Sequence, residues 1–220
     1  MKDPYQSLPV GLKLSHVALR RNLDRFAALA HGEARLSADL ADFIDLYLEF
    51  LDVHDDGETD FIFPALRRHS AGRSTDVAHL DRWESEHRAI ESAGRALADV
   101  AARVRRNDDA ARPKLAEISL ALKELLVAHF ASEEAVLTPQ HLPEMIAAQE
   151  LEAAQQQIAK KEHPRALRMA GFLVHSLEPA EQRQLLGDAP WLFRKVLLKW
   201  VAERKMARFR PFVYERTVAL

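Results

Sequence analysis

Apolar positions recur every three or four residues along most of the chain, the spacing of helices that bury one face. From Val10 to Ala30 the stripe runs through Leu12, His16, Leu19, Leu23, Phe26 and Ala30. It predicts a first helix behind a short arm at residues 1–9, where Pro4 and Pro9 disfavour helix. A second stripe, Leu40, Phe43, Ile44, Tyr47, Phe50, Leu51, His54, Glu58, Phe61 and Ile62, predicts a helix over 38–68 with Ser37 as its N-cap. Gly57 and Pro64 weaken that helix and place a kink near Phe61. A third helix over 75–106 turns Leu80, Trp83, His87, Ile90, Leu97 and Val104 inward. A fourth over 110–137 does so with Leu115, Ile118, Leu122, Leu125, Leu126, His129, Glu133 and Val136. The connections are short, so the expected fold is all-α, an up-down-up-down four-helix bundle over residues 1–142. Residues 143–220 read as a helical C-terminal extension. Its helices are expected over Pro143–Lys161, Arg165–Leu177 and Pro179–Leu186, with a basic, aromatic last helix from Trp191 to about Phe209.

The inward stripes carry polar residues where apolar ones belong. His54 and Glu58 are four apart, as are His129 and Glu133, so each pair shares a helix face. A Pro follows each Glu six residues on, at Pro64 and Pro139. In an antiparallel hairpin, residues equally far from the turn lie at the same height. The midpoint of His16 and His54 is position 35, in the first connection, and that of His87 and His129 is 108, at the Asn107-Asp108-Asp109 turn. The midpoint of Glu58 and His87 falls between 72 and 73, in the second connection. All four helices therefore present a His at one level, with two Glu beside them. Burying such a set unpaired costs several kcal/mol, which favours a bound metal.

Composition narrows the chemistry. With no Cys among 220 residues, disulfides, iron–sulfur clusters and thiolate metal sites are excluded. The remaining donors, imidazole and carboxylate, suit iron first, then manganese, then zinc. The pattern is duplicated: His16 with His54 and Glu58, then His87 with His129 and Glu133. Two equivalent halves imply two ions, each taking two His, with both Glu placed to bridge. Two octahedral ions offer roughly twelve positions, of which these ligands fill about eight. An oxo or hydroxo bridge leaves roughly one open position on each ion, enough for dioxygen, peroxide or nitric oxide. The chain holds no nucleophile elbow, P-loop, dinucleotide glycine pattern or His-Glu-x-x-His.

At these residues, over about Val10 to His141, the chain resembles the hemerythrin-like family of HHE cation-binding domains. The resemblance implies a four-helix bundle around a non-heme diiron site held by His16, His54, Glu58, His87, His129 and Glu133. Phe63-Pro64 and Thr138-Pro139 resemble the family's helix ends. Two positions depart from the oxygen-carrying hemerythrins. Trp83 stands where they have a further His, and Glu133 follows His129 by four residues rather than five. Oxygen carriage is therefore not carried over. Glu84, Asp55 and His79 are the nearest residues to complete the site, with Glu84 also a candidate acceptor for a ligand's second ring nitrogen.

Two functions follow from the ligand set: binding or sensing of a small molecule or of iron itself, and oxidation or reduction of peroxide or nitric oxide. The first is preferred, since no inward acid or base stands beside the ligands. A helical scaffold with a vestigial site is the third. His31, His69, His79, His141, His163 and His175 are expected at surfaces or helix ends. Net charge is -2, which argues against a general polyanion binder. The one candidate surface for nucleic acid or membrane is the segment from Trp191 to Tyr214. No apolar leader precedes Val10 and no run approaches the ~20 apolar residues of a membrane span, so a cytoplasmic protein is expected.

Overall fold

The computed structural model describes residues 3–32, 36–69, 74–186 and 203–212. Helix α1 spans Pro4–His31, α2 Ala38–Gly57, α3 Phe63–His69, α4 Ser74–Arg105 and α5 Ala111–Val136. In the extension lie α6 Leu142–Met145, α7 Ala148–Glu162, α8 Ala166–Ser176, α9 Pro179–Leu186 and α10 Glu203–Met206, the last followed by a 3-10 stretch, Ala207–Phe212. Among the described residues there is no strand, and no helix is long and apolar enough to cross a membrane. The fold is all-α, as expected.

Helix α1 starts six residues earlier than predicted. Asp3 caps it by accepting from the Tyr5 N–H at 3.0 Å, and Pro4 occupies the first turn, where a missing N–H costs little. Pro9 is absorbed inside the helix. The added turns are held by tertiary contacts: Leu8 is buried, and the Tyr5 hydroxyl donates to the Ile146 carbonyl at 2.9 Å. The expected kink near Phe61 takes the form of a π-turn over Glu58–Ile62 between α2 and α3, in which the Phe63 N–H reaches back to the Glu58 carbonyl. Pro64 offers no N–H and crowds the carbonyl four residues back, so one wide turn here relieves both problems. Pro143–Lys161 is not one helix; it breaks at Ile146 and Ala147, which are extended. Pro179–Leu186 is a helix as predicted. The Gly187–Pro190 turn and most of Trp191 to Tyr214 lie outside the described residues.

α1 packs along α5, α5 along α4, and α4 along α2. The remaining seam, between α1 and α2, has few direct contacts; α8 lies across it and touches both. The apolar core has two main parts, beside a small cluster of Leu14, Ala18 and Leu177. The larger holds Phe26, Phe43, Tyr47, Leu97, Leu122 and Leu126; the smaller holds Ile62, Phe63, Trp83, Val136, Leu142 and Met145. Between them, on all four long helices, lies the level of His16, His54, His87 and His129. The extension joins both parts. Phe172 of α8 is fully buried against Phe43 and Phe50, with ring centroids 6.0 and 4.8 Å away. Burial of one such ring is worth about 1.5–3 kcal/mol, so α8 is an integral part of the packed structure. Leu125, predicted inward, is instead exposed.

Candidate metal centre

The six predicted residues converge. His16, His54, Glu58 and Glu133 each offer one donor atom within 4.8 Å of the others, and so do Glu58, His87, His129 and Glu133. The two groups share both carboxylates. Helical register does the placing: α2 brings in His54 and, at the start of the π-turn, Glu58, while α5 brings in His129 and Glu133 one turn apart. His54 Nε2 lies 3.5 Å from Glu58 Oε1, His87 Nε2 3.4 Å from Glu58 Oε2, His129 Nε2 3.2 Å from Glu133 Oε1 and His16 Nε2 3.5 Å from Glu133 Oε2. Each carboxylate thus points one oxygen toward each half of the site.

These side chains are out of water; the most exposed of the six, that of His87, is only 9 % exposed. Yet His16 Nε2, His54 Nε2 and all four carboxylate oxygens are buried with no hydrogen-bond partner. The Nε2 atoms of His87 and His129 face each other at 3.0 Å. Buried polar atoms are almost always satisfied, and orphaned ones cost about 1–3 kcal/mol each. Six orphans aimed at one interior space fit cations of the kind imidazole and carboxylate ligate. The residues present therefore fit a metal.

Electrostatics agree. Burial drives the His54 imidazole down to about 3, against the pull of Glu58, so the ring stays neutral and keeps a lone pair for a metal. Burial also lowers His16, partly offset by its bond to Glu134. Burial would raise Glu58, but His54 and His87, where they carry a proton, outweigh it and hold the carboxyl below its ordinary value. Burial, with Glu58 and two further carboxylates nearby, pushes Glu133 well up. Two carboxylates sharing one space cannot easily both ionise without a cation.

The outward ring nitrogens are fixed by residues that the sequence did not single out. His16 Nδ1 pairs with Glu134 Oε1 and His129 Nδ1 with Glu86 Oε2, both at 2.9 Å, and His87 Nδ1 lies 3.0 Å from Thr59 Oγ1. Such partners set tautomer and ring orientation. Glu84, weighed for this role, instead pairs with Arg67 at 2.8 Å. His79 packs on Trp83, outside the cluster. Asp55 also stands outside both donor groups, with Oδ1 buried and unpartnered, and burial pushes its carboxyl up to about 8. Trp83 is core: fully buried, it packs on Phe63 and donates from Nε1 to Ser132 Oγ at 2.9 Å. Phe130 stacks on His16 with centroids 3.8 Å apart, giving the site an apolar wall. None of His31, His69, His79, His141, His163 and His175 is buried. Replacing Glu134 or Glu86 with Gln keeps a hydrogen-bonding group but loses its charge. Each is expected to weaken metal affinity about 10–100-fold, read by competition with a chromogenic chelator; unchanged affinity would leave the carboxylate without a role at the site.

Comparison with curated proteins and with solved structures yields no match. The family model of the hemerythrin HHE cation binding domain matches residues 10–140, which run from the second turn of α1 past the end of α5 and include all six donor residues. The chain belongs to the hemerythrin HHE cation binding domain family.

Proposed function

We propose that the chain is a non-heme diiron protein that binds or senses a small molecule, namely dioxygen, nitric oxide or peroxide, or iron itself. The observation that supports it best is the pair of overlapping donor groups, which share Glu58 and Glu133 and leave six buried ligand atoms without partners. One ion would take His16 and His54, the other His87 and His129, with the two carboxylates between them. Iron so held would supply a Lewis-acid centre and a redox couple. Around it, Glu134 and Glu86 hold their imidazoles in place, and Phe130 excludes water from one wall.

Iron reconstitution of the full chain tests the reading. The expected content is about two irons per chain, one for each donor group; protein that stays metal-free, or saturates with zinc while rejecting iron, overturns it. Exposing the reduced protein to nitric oxide or dioxygen then separates binding from turnover. A spectral change that reverses when the gas is removed supports binding, whereas steady consumption above that of free iron makes the chain an oxidoreductase.

A further inference from the structure

The two halves of the metal centre face different surroundings. On the His87 side, the seam between α2 and α4 opens into a cleft of about 750 Å³ whose lining includes Asp52, Asp56, Glu91, Arg88 and Arg95. On the His54 side, a second cavity of about 330 Å³ occupies the sparsely packed seam between α1 and α2. Its walls are apolar, with Leu12, Phe50, Val53, Ile158, Met169 and Leu173 prominent, and its polar floor is His54 and Glu58. We infer that this second cavity is a binding site for a neutral, apolar small molecule, seated beside the His54 half of the metal centre and walled in part by the C-terminal extension.

Three observations carry this. The cavity is built in part from outside the family domain: Gln155 and Ile158 come from α7, and Met169, Ala170 and Leu173 from α8, all beyond residue 140. Its space is real at the level of single atoms. A Cβ placed on Gly11 would meet nothing within 4 Å, while one on Gly57 would touch Ile158 at 3.6 Å, so the cavity is open toward α1 and closed by α7 at Gly57. Its chemistry selects against charge. Glu58 is the one carboxylate or cationic side chain in the lining, and once it serves a metal, Ser7, Ser15 and Gln155 are the neutral polar groups left. Gln155 already donates to Ser7 Oγ at 3.4 Å.

An enclosed apolar cavity of about 150 Å³ accepts benzene, so this more open one, of about 330 Å³, has room for a hydrocarbon-like molecule of roughly ten carbons. A buried charge without a partner is costly, which disfavours anions such as carboxylates. The site's position beside a metal rests on the diiron reading; the pocket itself does not.

Toluene is the probe, titrated into the full chain with and without iron and followed by the methyl resonances of Ile158, Met169 and Leu173. Saturable shifts at these methyls are expected in both forms. Gly11→Phe and Ala170→Trp, which fill the space from opposite walls, should each weaken binding at least about tenfold, whereas Arg95→Ala in the charged cleft should leave it unchanged. Benzoate, the same ring bearing a charge, should bind the iron-free chain at least about tenfold more weakly. Shifts that do not saturate, binding that survives both filling variants, or benzoate binding the iron-free chain as tightly as toluene overturns the inference. Iron content measured on the same samples keeps the two readings apart: toluene binding to a chain that rejects iron upholds the pocket and ends the diiron proposal, and the reverse ends the pocket alone.

Discussion

Replacing Glu133 with Ala is expected to reduce iron content from about two per chain to near zero, because the carboxylate belongs to both donor groups. Glu58→Ala should do the same. Loss of one imidazole has a different signature. His16 belongs to one group only, so His16→Ala should leave about one iron per chain, held by Glu58, His87, His129 and Glu133. The contrast guards against a trivial explanation, since unfolding would lose both ions in every variant. Moreover, metal-free Glu133→Ala should fold well. The substitution removes a carboxyl whose two oxygens are buried without partners, which relieves about 1–3 kcal/mol of desolvation cost and offsets part of the cavity it leaves. Glu84→Ala is the control, because that side chain is occupied by Arg67. Elemental analysis of the four variants decides the matter. Two irons retained by Glu133→Ala would remove it from the ligand set, and two retained by His16→Ala would break the two-group assignment.

That the donor set was legible at all follows from helix geometry. Four-residue spacing fixes a shared face within one helix, and short connections fix relative height between antiparallel helices, so the midpoints at 35, 72–73 and 108 together bring four His to one level. Nothing comparable identifies Glu134 and Glu86. Each sits next to a ligand in sequence, Glu134 beside Glu133 and Glu86 beside His87, and so about 100° around the helix from it. The imidazole that each one holds belongs to a neighbouring helix: His16 on α1 for Glu134, His129 on α5 for Glu86. A carboxylate at the flank of an inward stripe looks like ordinary surface charge until the neighbouring helix is placed. Glu84, three residues before His87 on its face, looked better placed for the role but lies nearer Arg67.

Local propensity failed where tertiary contacts outweighed it. Pro9 argued against helix in the first nine residues, yet burial of Leu8 and the Tyr5–Ile146 hydrogen bond carry α1 through it. The π-turn at Glu58 was visible only as weakness at Gly57 and Pro64; the form of the kink depends on which carbonyls the wider turn can satisfy. Amphipathicity of the extension was plain, but its partner was not. An apolar stripe states that a face is buried and leaves open against what; here α8 crosses the α1–α2 seam, and Phe172 enters the main core.

Removal of the metal is expected to lower the thermal midpoint by roughly 8–16 °C. Two ions, each held at about thirty times its Kd, together stabilise the native state by about 4 kcal/mol, and in chains of about 150–250 residues each kcal/mol shifts the midpoint by about 2–4 °C. The location of the site makes this global. His16, His54, His87 and His129 lie on the four long helices, in a polar layer between two apolar cores. Without an ion, each core retains its own burial, but the layer joining them holds orphaned Nε2 and carboxylate atoms and a His87–His129 contact at 3.0 Å that at most one proton can bridge. Water or protons must then enter, and the helices should loosen first at this level. Differential scanning calorimetry of iron-loaded and chelated protein measures the shift. Hydrogen exchange should show the largest loss of protection around residues 54–58 and 129–133, with the Phe26 and Phe43 segments least affected. A midpoint unmoved by chelation would mean that the cluster is satisfied by itself, which is the behaviour of a helical scaffold with a vestigial site and not of a metal centre.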